Sequence, residues 1–290
     1  MYKLIASDMD GTLLNSVGEI PAKNVEAVKK AMDAGVEFAI VTGRPYASAR
    51  SVLSDNGIIN SAAVIGCNGA QVTDKHGNLI KSHYLDKDSL IKIMELAEEK
   101  NIYYQIYDDN YIFTKSRLKL LNMIKNYSGK SLKKHITLRN IVNGFKRLFF
   151  ADVKVKKNII EYAKAEEKGF YKIQVASTDQ KQLNSFRGHL KDIPNIDITS
   201  SFYFNLEIGP VGITKGTALR ELAESQGIAK EDVIAFGDNY NDIPMIEYAG
   251  CGVAMENSVQ PLKDKADFFT KSNDENGVAY AIEKLIFEKE

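Results

Sequence analysis

Cysteine, net charge and long apolar runs are all scarce in this chain of 290 residues, and each scarcity excludes something. The two cysteines, Cys67 and Cys251, stand far apart and without metal-ligand spacing, which argues against a disulfide framework and for small buried residues in a reducing compartment. Lys and Arg number 38 and Asp and Glu also 38, so there is no basic excess of the kind a nucleic-acid partner requires. No stretch approaches the roughly 20 apolar residues that span a bilayer. The apolar run near Met1 is cut off at Asp8, too early for a signal-peptide core. No membrane is expected as a partner, and the cytoplasm is the expected address. Internal repeats and low-complexity tracts are absent, and the four histidines share no ligand spacing.

What is present is the composition of a globular protein, 44% hydrophobic and 26% charged, in a length that suits one large domain or two moderate ones. The first part alternates short apolar runs with helical patterns. Strands are expected at Leu4–Ala6, Val36–Val41 and Ala62–Ile65, with an amphipathic helix from Asn24 to Ala34 stopped by Gly35. The last part repeats the pattern, with helices over Thr217–Gln226, Ile243–Tyr248 and Val278–Phe287. Strands are expected there at Val233–Phe236, Gly252–Met255 and Ala266–Thr270. Strands apolar on both faces and separated by helices indicate an α/β fold with a parallel sheet covered on both sides.

The middle differs. It is rich in Lys, Tyr and Phe, with strand-like pieces at Ile102–Tyr107, Tyr111–Thr114, Arg147–Phe150 and Tyr171–Ala176, and helical ones at Ser89–Lys100 and Lys157–Lys168. The turn Asp108-Asp109-Asn110 implies a hairpin. This reads as an antiparallel α+β unit over residues 83–207, inserted into a core made of residues 1–82 and 208–290. The run Lys154-Val155-Lys156-Lys157 and the pair Lys133-Lys134 read as solvated faces.

Four segments sit where parallel strands end or a helix opens. They are Asp8-Met9-Asp10-Gly11-Thr12, Thr42-Gly43-Arg44, Lys215, and Gly237-Asp238-Asn239-Tyr240-Asn241-Asp242. Asp8 and Asp10, two apart, would project to the same side of an extended chain. Ligands of open α/β sheets bind at the carboxyl ends of the strands, so all four segments are expected to face one crevice. Four carboxylates there would repel one another by roughly several kcal/mol at low dielectric. One lysine does not neutralise them; a hard divalent cation does, and Mg²⁺ fits because it takes oxygen ligands and shares them with phosphate. Lys215, Thr42 and backbone N–H groups would hold a phosphate oxyanion.

In these residues the chain resembles the haloacid dehalogenase superfamily of phosphatases, and within it the Cof-type branch, which carries a large α/β cap. Asp8-Met9-Asp10-Gly11-Thr12, Thr42-Gly43-Arg44, Lys215, and Gly237-Asp238 with Asn241-Asp242 match the four motifs in order. Cys67-Asn68-Gly69-Ala70, Leu206-Glu207-Ile208 and Ser272-Asn273-Asp274-Glu275-Asn276-Gly277-Val278-Ala279 also look like this branch.

The resemblance implies a Rossmann-like core with an inserted cap, and a Mg²⁺-dependent phosphatase acting on small phosphorylated metabolites through an aspartyl-phosphate. Asp8 would be the nucleophile and Asp10 the acid and base, with Lys215 and the metal keeping Asp8 ionised. Thr42, Gly43, Arg44, Lys215 and Asn241 would bind phosphate or substrate. Asp8, Asp10 (through its carbonyl), Asp238 and Asp242 would attend the metal. The alternatives are a capped sugar phosphomutase and a non-enzymatic phospholigand-binding protein.

Overall fold

The structure, a computed structural model, describes residues 2–58, 62–116, 153–201 and 204–288. Its first stretch contains β1 (Leu4–Ser7), α1 (Ala22–Asp33), β2 (Glu37–Val41), α2 (Tyr46–Asp55), β3 (Ala62–Gly66), β4 (Gln71–Thr73) and β5 (Leu79–Ser82). There follow α3 (Lys87–Glu99), β6 (Tyr103–Tyr107), β7 (Ile112–Thr114), β8 (Val153–Val155), α4 (Ile159–Ala165), β9 (Lys172–Ala176), α5 (Gln180–His189), β10 (Ile196–Thr199) and β11 (Asn205–Pro210). The chain ends with α6 (Lys215–Ser225), β12 (Val233–Gly237), α7 (Ile243–Tyr248), β13 (Cys251–Ala254), α8 (Gln260–Lys263), β14 (Phe268–Phe269) and α9 (Gly277–Ile282). Two compact units result, Met1–Ser82 with Ile213–Glu290, and His83–Gly212.

The first unit is built on a sheet of order β14-β13-β12-β1-β2-β3-β4-β5. From β14 to β3 every pairing is parallel. The central strands β1, β2, β3, β12 and β13 are largely apolar because both of their faces are covered. Ile5, Phe38, Ile40, Ile234 and Phe236 pack to one side with α1 and α9, while Leu4, Ala6, Ala39, Val41, Val233 and Ala235 pack to the other with α6 and α7. In α1 the residues Asn24, Ala27, Val28 and Ala31 recur at helical spacing and form the buried stripe.

Three features depart from the sequence reading. The sheet is mixed, since β4 and β5 extend it antiparallel from β3. Strand β5 is almost wholly exposed, so it carries no alternation by which to recognise it. The strand expected over Ala266–Thr270 contracts to Phe268–Phe269, and the last helix ends in a π turn over Glu283–Phe287.

The inserted unit has a sheet of order β10-β11-β9-β6-β7-β8, antiparallel except for the parallel pair β7 and β8. One face carries Tyr104, Ile106, Phe113, Ile173, Val175, Leu206 and Ile208 in a common core with residues of α3, α4 and α5. The alternate residues Gln105, Tyr107, Lys172, Gln174 and Glu207 are buried as well, although polar. The two charges are compensated by each other, Lys172 pairing with Glu207 at 3.2 Å, and the Tyr107 hydroxyl donates to Gln174 at 2.6 Å. Lys154 and Lys156 lie over the rings of Tyr111 and Tyr162, so this part of the lysine run is supported by aromatic faces. Arg147–Phe150 and Lys133-Lys134 lie outside the described residues.

Candidate active site

Because β1, β2 and β12 are adjacent and parallel, their carboxyl ends share one edge of the sheet. Asp8 follows the last residue of β1, Thr42 the last of β2 and Asp238 the last of β12. Lys215 opens α6, whose start is tied by a capping box between Thr214 and Thr217. Its long side chain is wholly buried. The loop after β3 presses on that same helix start: a Cβ on Gly69, which has φ +108°, would lie 2.4 Å from the Thr214 carbonyl oxygen.

The side chains of Asp8, Asp238 and Asp242 converge there, each offering one carboxylate oxygen within 4.8 Å of the others. Lys215 Nζ sits between two of them, 2.5 Å from Asp8 Oδ1 and 2.5 Å from Asp242 Oδ1. Asp242 Oδ2 accepts the N–H groups of Asp238 and Asn239 at 3.0 and 2.9 Å. Both oxygens of Asp242 are therefore engaged in holding the lysine and its own loop. Asp238 accepts from Thr12 Oγ1 at 3.0 Å.

The Asp10 carboxylate lies outside that cluster. Arg44 clasps it from two sides, Nε to Oδ2 at 2.8 Å and Nη2 to Oδ1 at 2.5 Å. Arg44 itself is largely buried. Thr42 Oγ1 accepts the Arg44 N–H at 3.2 Å, which leaves the hydroxyl proton free to be donated. Gly43 forms the half-buried bend between them. Asn241 Nδ2 donates to Asn68 Oδ1 at 3.2 Å, and the Asn68 N–H donates to the Thr42 carbonyl at 3.0 Å. The exit of β3 thus links the β2 and β12 loops.

Three buried carboxylates face one ammonium, and the titration of the site reflects it. Burial pushes the Asp8 carboxyl up; Lys215 draws it down, Asp242 and Asp10 push it up again, and it settles at about 7. Lys215 alone therefore does not keep Asp8 ionised, because desolvation outweighs one neighbouring cation. Burial likewise lifts Asp238 well above the usual carboxylate range, with Asp8 and Asp242 adding to the shift. Burial works against the Lys215 ammonium, but Asp242 and Asp8 more than offset it and hold it above the ordinary lysine value. An all-oxygen donor set with excess negative charge, two of whose members resist ionisation, is what a hard divalent cation would relieve.

A family model for haloacid dehalogenase-like hydrolases matches residues 5–282. The chain belongs to this family. The hydrolase is 34% identical over 289 residues to a 5-amino-6-(5-phospho-D-ribitylamino)uracil phosphatase of Bacillus subtilis, covering 98% of each chain. It is 27% identical to a pyridoxal phosphate phosphatase of Escherichia coli, covering 97% of each. A solved haloacid dehalogenase-like hydrolase from B. subtilis superposes with a TM-score of 0.87 at 30% identity, over 98% of this chain and 100% of the other. Among the described residues of the hydrolase no helix is long and apolar enough to cross a membrane.

Sequence reasoning missed two contributors in the hydrolase. Thr12 holds Asp238 from 226 positions away, a pairing that no local pattern announces. Gly11, part of the first motif, makes room for a carboxylate: at φ +90° a Cβ there would lie 2.5 Å from Asp238 Oδ2. We expect Gly11→Ala to fold but to hold Asp238 out of place, with backbone strain of about 1–3 kcal/mol added. Calorimetric titration with Mg²⁺ checks it, and undiminished binding would show that Asp238 has freedom to move aside.

Proposed function

We propose that this hydrolase is a phosphatase that uses magnesium to hydrolyse small phosphate monoesters through a phosphoaspartate on Asp8. One observation carries the reading: Lys215, buried at the first turn of α6, joins Asp8 to Asp242 at 2.5 Å each, with Asp238 beside them. The names of the two phosphatase relatives support phosphorylated small metabolites as the substrate class.

Asp8 and Asp238 would hold the ion together with the main-chain carbonyl of Asp10, and Asp242 would act through Lys215. When bound, the ion supplies positive charge to the phosphoryl oxygens and keeps Asp8 ionised. An oxygen of Asp8 attacks phosphorus, forming the acyl-phosphate bond as the bond from phosphorus to the alcohol oxygen breaks. Asp10 gives the departing oxygen its proton, then takes one from the water that attacks the intermediate, releasing inorganic phosphate and restoring Asp8. Arg44 holds both oxygens of the Asp10 carboxylate in the resting chain, so it must release one of them before Asp10 carries the proton it donates. The Thr42 hydroxyl, the Lys215 ammonium and the Asn241 amide are the donors to the phosphoryl oxygens. Substrate choice we assign to the inserted unit, since the strand-end residues deal with the phosphoryl group.

Hydrolysis of para-nitrophenyl phosphate by the full chain tests the reading. Turnover is expected with Mg²⁺ and not with a chelator; a chain inert under both conditions, and towards a panel of phosphorylated metabolites, would overturn it.

The proton on Asp8 makes a second expectation. Its carboxyl titrates at about 7 in the folded, metal-free chain against 3.8 ordinarily, so its contribution to stability is complete below 3.8 and lost as pH rises through 7. Metal-free protein should therefore melt progressively lower between pH 5 and 8, by order of magnitude a few °C. Mg²⁺ should bind more tightly over the same interval and release protons near pH 7. Melting curves with and without chelator, and calorimetry in buffers of different ionisation enthalpy, measure both. Affinity independent of pH would contradict the assignment.

A further inference from the structure

Between β13 and α8 runs the segment Met255–Val259, which has no part in the chemistry above. Three consecutive residues in it donate hydrogen bonds to carbonyls beside the acidic cluster. Asn257 Nδ2 donates to the Gly11 carbonyl at 2.8 Å and Ser258 Oγ to the Gly237 carbonyl at 3.1 Å. The Val259 N–H donates to the Asp238 carbonyl at 2.9 Å, and the Met255 N–H reinforces the hold on Gly237 at 3.2 Å. One short turn thus grips both the loop that carries Asp8 and the loop that carries Asp238.

The grip on Gly11 reaches the carboxylate directly. Gly11 lies so close to Asp238 that even a methyl group would collide with its Oδ2. Wherever Asn257 sets Gly11, it sets the wall against which Asp238 rests. Asn257 is itself fixed from behind: its Oδ1 accepts the Asn273 N–H at 3.0 Å. Asn273 Nδ2 in turn donates to the Leu14 carbonyl at 2.9 Å, and Asp274 Oδ1 accepts the Ser16 N–H at 2.8 Å. The nucleophile loop is therefore braced at Gly11, Leu14 and Ser16 by side chains from the end of the sequence.

We propose that the Asn257–Val259 turn is a positioning element of the divalent-cation site, in which Asn257 sets the separation between the nucleophile loop and Asp238. This rests on the phosphatase reading, because the cation is the one assigned there to Asp8 and Asp238. The physical reason is that magnesium tolerates little departure from octahedral geometry, while its ligands here come from loops more than two hundred residues apart in sequence. Groups that orient metal ligands from behind typically cost about 10–100-fold in affinity when removed. Asn257 is exposed, so replacing it disturbs no core packing.

The test is Mn²⁺ binding to the full chain, followed by the electron paramagnetic resonance of the free ion, so that no turnover is needed. Asn257→Asp keeps an acceptor for the Asn273 N–H but cannot donate to the Gly11 carbonyl. Its added negative charge, acting by electrostatics alone, would tighten cation binding; the positioning role demands the opposite, a loss of about tenfold or more. Asn257→Ala and Ser258→Ala should weaken binding in the same direction, with metal-free melting close to that of the parent. Lys263→Gln is the control: Lys263 donates at 2.6 Å to the Glu256 carbonyl in the same turn and to neither loop, so its removal should leave affinity alone. Unchanged Mn²⁺ affinity in both Asn257 variants, or tighter binding in Asn257→Asp, overturns the proposal. A parent chain that takes up no Mn²⁺ overturns the phosphatase reading instead, and the proposal with it.

Discussion

Asp8→Asn is expected to abolish hydrolysis of para-nitrophenyl phosphate while leaving the chain folded. The substitution is isosteric, but an amide oxygen does not form the acyl-phosphate, so turnover should fall by at least ~10³-fold, the scale on which loss of a covalent nucleophile is felt. Stability should move the other way. Asp8 is buried, and desolvation with the charges of Asp242 and Asp10 holds its carboxyl up at about 7 against the pull of Lys215. At pH 8 the folded parent therefore carries a charge that its surroundings resist. The neutral amide removes it, while Lys215 keeps Asp242 at 2.5 Å. Metal-free Asp8→Asn should accordingly melt at or above the parent at pH 8, and near or below it at pH 5, where the parent carboxyl is protonated. Paired activity and melting measurements decide the matter. Near-normal turnover would show that another group attacks phosphorus.

Lys215→Met should damage both activity and stability, and this separates its role from that of Asp8. Lys215 is the cation that joins Asp8 to Asp242 within the fold, and its side chain is 1% exposed. Removing one partner of a buried charge cluster leaves the others uncompensated, at a cost of about 3–5 kcal/mol. Such a loss lowers the melting temperature by roughly 10 °C in a chain of this size. The deficit should shrink as pH falls from 8 towards 6, because a carboxyl whose folded pKa is raised favours the folded state at lower pH. Added Mg²⁺ should recover part of the stability at pH 8 and none of the activity that depends on the Lys215 donor. Melting equal to the parent at both pH values would mean that Lys215 is not the internal counter-ion.

Much of this was legible in one dimension because the relevant physics is local. Leu4, Ile5 and Ala6 are apolar in succession since both faces of β1 are covered, and that run is visible without knowing what covers it. Asp8, Thr42 and Asp238 stand immediately after strands, so a parallel sheet brings them to one edge. Lys215 is found in the same way, at a helix start.

What stayed hidden depends on distances between segments remote in sequence. That Arg44 clasps Asp10 rather than facing solvent, and that both oxygens of Asp242 are spent on Lys215 and two backbone N–H groups, follows only from the packed loops. So does the hold of Thr12 on Asp238 and of Asn257 on Gly11. The exposed strand β5 escaped notice because a segment without a buried face has no periodicity to display. The amino-acid order by itself thus determined the kinds of chemical group at the strand ends and the layering of the sheet, through hydrophobic pattern and turn chemistry. Which carboxylate meets the lysine, which meets the arginine and how burial lifts Asp8 and Asp238 was decided by tertiary structure alone. Hydrogen-bond geometry and desolvation belong to the assembled three-dimensional neighbourhood and to no single segment.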